Sequence, residues 1–154
     1  MRRLIKLVLL VIIAGTLSSC IRELKIQEID VSIEYVLENT STGQSIIQDS
    51  FYTSEPYPEL RASIGDILNL KLNILVDGQI SSSDIKCAFL ESEETVVLSN
   101  EWKKEFVISS VDKGKYPLTV SGLFEVSDPQ WSLNGYTNQV QPCGLVVTSF
   151  IIID

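Results

Sequence analysis

The sequence predicts an all-β protein that folds as a sandwich of two sheets. Seven or eight short segments alternate between apolar and polar residues, and turn-forming residues separate them at regular intervals. No segment keeps the apolar period of a long helix, and no internal repeat is present. Apart from a signal segment at its start, the chain is long enough for one domain with a hydrophobic core.

The first part of the domain is predicted to be a β-hairpin over residues 28–53. Residues 29–37 alternate apolar and polar side chains, which is typical of a strand with one face in water. A polar turn over 39–44 follows, and 45–53 return as the second arm. Two prolines in 55–58 indicate a crossing or edge segment, because proline cannot donate to a strand ladder.

The core of the sandwich is predicted over residues 58–154. Leucines at every second position mark one strand after Gly65, and Asp77-Gly78 ends it with turn chemistry. Gly122 is expected to break a long later strand. The predicted strands cover residues 68–76, 85–90, 95–98, 102–108, 116–126 and 145–153, and the predicted loops cover 81–84, 91–94 and 127–143.

One corner of the chain resembles immunoglobulin-like domains. Asp112, Gly114 and Tyr116 stand in the pattern that precedes strand F of that family, and Ile64-Gly65-Asp66 resembles the start of its strand B. In the family, glycine permits a tight corner and the tyrosine hydroxyl bonds to upstream backbone. The resemblance covers roughly residues 58–154 and extends to bacterial immunoglobulin-like and PKD-like modules. It implies an immunoglobulin-like antiparallel β-sandwich, here with an extra N-terminal β-hairpin.

The chain departs from antibody domains at their most characteristic positions. Leu118 stands where the second core cysteine would be, and leucines replace the first. No tryptophan lies on the candidate strand C, where Phe89 is expected to fill the space. The resemblance therefore indicates a fold and says nearly nothing about function.

The first twenty residues resemble the lipobox signal of bacterial lipoproteins. Three basic residues precede the apolar run 7–14, and Leu17-Ser18-Ser19 leads to Cys20. The run is short for a membrane span, although an uncleaved helix or an ordinary secretory signal stays open. The resemblance implies that residues 1–19 are a cleaved signal peptide, that Cys20 is lipidated, and that residues 20–27 are a tether.

The same resemblance predicts where the protein resides. Lipidated proteins of this kind stay attached to an envelope membrane, because several acyl chains hold a protein firmly. Ile21 follows the cysteine, whereas aspartate at that position retains enterobacterial lipoproteins at the inner membrane. The outer membrane is therefore expected, with the periplasmic or surface side left open.

The composition excludes several classes of function. Loss of residues 1–19 removes three of the twelve basic residues and leaves nine against twenty acidic ones, a formal charge of −11. Such a field repels phosphate backbones, so no nucleic-acid partner is expected. The chain contains no histidine, which excludes Ser-His, Cys-His and His-metal mechanisms. No cofactor and no metal site are predicted.

Two further cysteines and an acidic cluster are weaker candidates for chemistry. Cys87 and Cys143 are a candidate disulfide. The bond requires the long loop to fold inward, because paired residues of two strands that flank a third lie too far apart for a disulfide. The alternative is two buried free thiols. The carboxylates of Glu91, Glu93 and Glu94 are candidates for glycosidase catalysis. Together with Asp112 and Asp128 they are also candidate calcium ligands. A solvent-exposed charged turn is favoured over both.

The long irregular stretch supplies the candidate ligand contacts. Trp131, Asn134, Tyr136 and Asn138 offer aromatic faces and amide hydrogen bonds, although rings that cap the core are favoured over exposed ones. The predicted protein is a non-enzymatic binding or structural module, anchored to a membrane, with a protein or glycan partner. The alternatives are a carbohydrate-binding accessory lipoprotein of a glycan-uptake system, and an adhesion or assembly subunit that pairs through a sheet edge at 45–53 or at the terminal strand.

Overall fold

A computed structural model of the chain describes residues 29–98, 101–128 and 140–154, and shows only strands and their connections in these ranges. The strands form two sheets, in the orders β2-β1-β4-β7 and β3-β9-β8-β5-β6. The strands are β1 (Val31–Asn39), β2 (Gln44–Gln48), β3 (Glu59–Ala62), β4 (Ile67–Val76), β5 (Gln79–Phe89), β6 (Ser92–Val96), β7 (Glu101–Val107), β8 (Gly114–Ser127) and β9 (Val140–Ile153).

The two sheets pack face to face around one apolar core, which confirms the predicted β-sandwich. In β1, in β4 and in the second half of β9, every second residue is buried, as the period of two requires. The largest fully buried side chains come from both sheets: Tyr35, Leu37, Leu68, Leu70, Leu72, Ile85, Leu118, Phe124, Leu145, Ile151 and Ile153. Across the core, the Tyr35 hydroxyl on β1 donates to Ser149 Oγ on β9 at 3.2 Å.

The strand order is that of an immunoglobulin-type sandwich. β1, β4 and β7 lie side by side in one sheet, as strands A, B and E do, while β5, β8 and β9 match C, F and G. β3 pairs in parallel with β9, so the second sheet is mixed rather than purely antiparallel. The predicted hairpin is present: β1 pairs with β2, and β1 also pairs with β4. β2 therefore extends the edge of the first sheet.

Several predicted boundaries are wrong, and most of the errors shorten a strand. Residues 92–94 belong to β6 and not to the predicted turn 91–94, whereas the predicted second arm 45–53 ends earlier, at Gln48 of β2. Residues 81–84 are not a loop but the middle of β5, with a bulge between Ile80 and Ser82 where the pairing with β8 shifts. β8 continues through Gly122 without a break. β9 begins at Val140 instead of residue 145. Serines and a proline look like loop residues in the sequence, but long neighbouring strands supply ladder partners for them.

The sandwich has two ends, which the strand directions define. The Ile29 end contains Asp77 and the last residues of β8. There the amide of Ile29 donates to Gln141 Oε1 at 2.9 Å, and Gln141 Nε2 donates back to the Ile29 carbonyl at 3.3 Å. The Leu90 end contains the β5–β6 turn and the β7–β8 connection. β8 has 14 residues, so the two ends are about 40 Å apart along its length.

Candidate functional site

A groove of about 900 Å³ opens at the Leu90 end and is here named the Leu90 groove. The β5–β6 turn forms one wall, and the end of β7 with the connection to β8 forms the other. Its apolar surface comes from Phe89, Leu90, Phe106, Val107, Val111 and Tyr116. This volume lies in the range of ordinary ligand sites, so the groove can accept several side chains of a partner.

Two aromatic rings hold the floor of the groove. Phe89 on β5 and Phe106 on β7 meet edge to face, with ring centroids 5.3 Å apart. Phe89 is buried and Phe106 is half-buried, so the pair joins the two sheets below the opening. Phe89 thus fills core space, as the sequence predicted for strand C.

The predicted corner forms the next part of the groove. The Tyr116 hydroxyl donates to the Asp112 carbonyl oxygen at 2.8 Å, as the immunoglobulin resemblance implied. A β-carbon on Gly114 would lie 3.3 Å from the Tyr116 ring, so glycine lets the ring pack against the corner. The corner therefore fixes both Tyr116 and the backbone that carries the Asp112 carboxylate.

Leu90 has a backbone conformation that is unusual for its residue type. Its φ angle is 55°, at the first position of the two-residue turn between the paired residues Phe89 and Ser92. Turns of this length favour glycine at positive φ, since the β-carbon of other residues crowds the backbone. A leucine there costs on the order of 1–2 kcal/mol. Its side chain stays 41% exposed and faces the groove.

Three carboxylates surround the apolar surface. Glu91 comes from the β5–β6 turn, Glu105 from β7 and Asp112 from the corner. Among the described residues, none of these carboxylates has a hydrogen-bond or ion-pair partner, and the described lining of the groove includes no basic side chain. The opening is therefore apolar below and negative around its edge.

The predicted acidic cluster separates into different environments. Lys86 Nζ donates to Glu93 Oε1 at 2.8 Å, and Glu94 pairs with Lys104 across the gap between β6 and β7. Only Glu91 reaches the groove. The three glutamates thus do not converge on a common point, and no group of three His, Cys, Asp or Glu side chains in the described ranges is placed to hold a metal ion.

The candidate disulfide between Cys87 and Cys143 is wrong, because both residues are free thiols. Cys87 lies opposite Val120 and Cys143 opposite Phe124, on the two strands that flank β8. This places them about 16 Å apart, whereas bonded cysteines need α-carbons within about 7 Å. The prediction put Cys143 in an inward-folding loop, but the residue belongs to β9.

Neither thiol is suited to nucleophilic work. Burial raises the pKa of Cys87 to about 12, and the neighbouring Glu94 carboxylate adds to this while Lys104 opposes it. Burial also raises the pKa of Cys143, although a hydrogen bond with the Gln141 side chain opposes this shift. Both groups stay as protonated thiols at neutral pH.

The four predicted ligand contacts, Trp131, Asn134, Tyr136 and Asn138, lie outside the described residues, as do Cys20 and the signal segment. The described residues that flank the four are Asp128 and Val140, both at the Ile29 end. These two flanking residues thus lie at the opposite end of the sandwich from the Leu90 groove.

Sequence reasoning named parts of the groove but not the groove itself. Asp112, Tyr116 and Glu91 were identified for other reasons, whereas Leu90, Glu105 and Phe106 were not singled out. In the immunoglobulin order, the C–C′ turn and the E–F corner share one end of the sandwich. The groove could have been sought at this shared end of the two connections.

No known protein family matches the sequence, and a search of curated proteins finds no similar one. Among the described residues, no helix is sufficiently long and apolar to cross a membrane.

Proposed function

We propose that the protein is a lipid-anchored, non-enzymatic binding module of the cell envelope, with the Leu90 groove as its binding site. The observation that carries this proposal is the separation of the two ends. Eight residues separate Cys20 from Ile29, so the α-carbons of these two lie at most about 32 Å apart. A lipid on Cys20 would therefore hold the Ile29 end near the bilayer and leave the Leu90 groove facing away from it, toward a partner.

Two features support binding rather than structure alone. Leu90 keeps an apolar side chain exposed in a strained backbone conformation, although glycine would fit the turn without strain. Val107 on the facing wall is 57% exposed. Exposed apolar side chains that line one opening are typical of an interaction site.

The anchor is tested by the variant Cys20→Ser, with labelled palmitate and membrane fractionation. We expect the variant to lose the palmitate label and to leave the outer-membrane fraction. Unchanged labelling and fractionation would contradict the anchor.

The groove is tested by a photo-crosslinking amino acid at position 107 in living cells. The control carries the same group at Leu75, which is also exposed but lies near the Ile29 end. We expect a discrete crosslinked adduct from position 107 and none from position 75. Absence of an adduct at position 107 would overturn the proposed binding role.

A second candidate function is assembly through a sheet edge. β2 lies at the edge of its sheet, carries no charged residue, and exposes 72% of Ile47, whereas charges or prolines usually protect such edges. The terminal strand is covered over Phe150–Ile153, where β9 pairs with β3, and at Val146, which forms a bridge with Tyr52. If β2 mediates assembly, Ile47→Lys will convert oligomers into monomers in sedimentation velocity. A monomeric unmodified protein would exclude this candidate.

A further inference from the structure

The Leu90 groove has a chemical character that specifies its partner more closely. The inference rests on the proposed function, since it takes this groove as the binding site. Three properties of the groove are used: its apolar floor, its unpaired carboxylates and the strands that border it.

The carboxylates around the groove are not neutralised by the rest of the molecule. The described residues include eighteen acidic and seven basic side chains. Six of the seven basic side chains already form ion pairs: Arg61, Lys71, Lys86, Lys103, Lys104 and Lys115. Lys113, beside Asp112 in the corner, is the remaining one. No lysine or arginine lies among the described residues that line the groove, so a cationic partner can pair with Glu91, Glu105 and Asp112.

The whole molecule reinforces this preference. Its excess of acidic residues attracts cations from a distance and repels phosphate, acidic glycans and acidic peptides. The attraction of one charge pair at 4 Å is about 1 kcal/mol in water, so three carboxylates give selectivity rather than tight binding by themselves. The apolar floor has to supply much of the affinity.

The borders of the groove favour an extended chain over a compact ligand. Ser92 belongs to β6 and Glu105 to Val107 belong to β7, and in the described residues each of these strands lies at the edge of its sheet. Their outer backbone N–H and C=O groups have no strand partner there. An extended peptide can pair with such an edge and place alternate side chains into the groove.

We propose that the Leu90 groove binds an extended, positively charged segment of a partner protein. A bulky apolar side chain of that segment lies on Leu90, Phe106 and Val107, and flanking lysine or arginine side chains pair with Glu91, Glu105 and Asp112.

The test uses the lipidated full-length protein in nanodiscs and three fluorescent peptides. The first peptide has three central leucines with two lysines on each side. The second replaces the lysines by glutamates, and the third replaces the leucines by serines. Anisotropy should show binding of the first peptide only, at least tenfold weaker in 500 mM than in 50 mM salt. Empty nanodiscs measure binding to lipid.

Two variants separate binding from folding. The triple variant Glu91→Gln, Glu105→Gln, Asp112→Asn keeps the backbone bond to Tyr116 and should weaken binding of the first peptide at least tenfold. Leu90→Gly relieves the strained turn, so it should weaken binding about fivefold while its urea midpoint stays the same or rises. Circular dichroism confirms that both variants are folded.

The outcomes distinguish this inference from the proposed function. Three results would contradict a positively charged partner: equal binding of the glutamate peptide, unchanged binding by the triple variant, or no binding of any peptide. If the position 107 crosslink still forms in cells, the binding module stands and only the partner's charge is wrong. If the crosslink also fails, the proposed function fails with it.

Discussion

At the scale of single residues, two hydrogen-bonded pairs of side chains, Tyr35–Ser149 and Asn39–Asp66, fix how β1 is aligned with its neighbours, which apolar contacts alone do not specify. The Tyr35 hydroxyl is fully buried, and this burial raises the pKa of Tyr35 well above its usual range, although the bond to Ser149 opposes the shift. At the Leu90 end, Asn39 Nδ2 donates to the Asp66 carboxylate at 2.8 Å and to the Arg61 carbonyl at 3.0 Å. These bonds fix the register of β1 against both sheets.

The Tyr35–Ser149 bond can be measured by a double-mutant cycle. Tyr35→Phe leaves the Ser149 hydroxyl buried without a partner and should lower the free energy of unfolding by about 1–2 kcal/mol. Adding Ser149→Ala should restore part of this loss, because no unpaired group remains. Urea unfolding of the four proteins gives the coupling energy, and strictly additive losses would show that the bond contributes nothing.

Asp66 makes stability depend on pH. Hydrogen bonds from Asn39 and from the Ser63 amide hold the pKa of its carboxyl below the ordinary value of 3.8. A lowered folded-state pKa means that the stabilisation is complete above the unfolded value and disappears as pH falls through the folded one. The variant Asp66→Asn should therefore be less stable than the unmodified protein at pH 7, and the difference should shrink between about pH 5 and pH 2. Urea midpoints at pH 7 and pH 3 test this, and a difference that does not change with pH would contradict it.

At the scale of strands, Gly122 allows β8 and β5 to approach closely. Its φ is 155°, and a β-carbon there would lie 2.0 Å from the Asp84 carbonyl oxygen of the neighbouring backbone. Gly122→Ala should lower the free energy of unfolding by about 3 kcal/mol or more, because backbone cannot move aside as a side chain can. Gly43 is the matched control: its φ is also positive, but no atom lies within 4 Å, so Gly43→Ala should cost only about 1 kcal/mol. Equal losses would show that the close approach is unimportant.

The sequence predicted strands well where one face is apolar and poorly where both faces carry small polar residues. β1 and β4 alternate cleanly, so their positions could be foreseen. The polar half of β5 could not, since Ser82 and Ser83 become ladder residues only because β8 extends past them. The prediction read Gly122 as a break, whereas the structure uses it for contact between strands. The local sequence pattern does not distinguish a glycine that ends a strand from one that allows two strands to approach closely.

At the scale of the whole molecule, function depends on which elements share an end. The Leu90 groove joins residues from β5, β6, β7 and the corner before β8, which are distant in sequence. The corner could be predicted, because its tyrosine and glycine have local roles. The groove could not, because it depends on the turn at Leu90 adopting positive φ and on the gap between β6 and β7. The acidic balance, by contrast, follows directly from composition.

The orientation of the sandwich on the membrane tests the central claim most directly. Fluorescent labels at Asp77→Cys and Lys113→Cys mark the Ile29 end and the Leu90 end, in a Cys143→Ser background that leaves only the buried Cys87 thiol. The lipidated proteins are placed in vesicles that contain nitroxide-labelled lipid headgroups. The account predicts strong quenching at position 77 and weak quenching at position 113. Equal quenching at both positions, or stronger quenching at position 113, would contradict a groove that faces away from the bilayer.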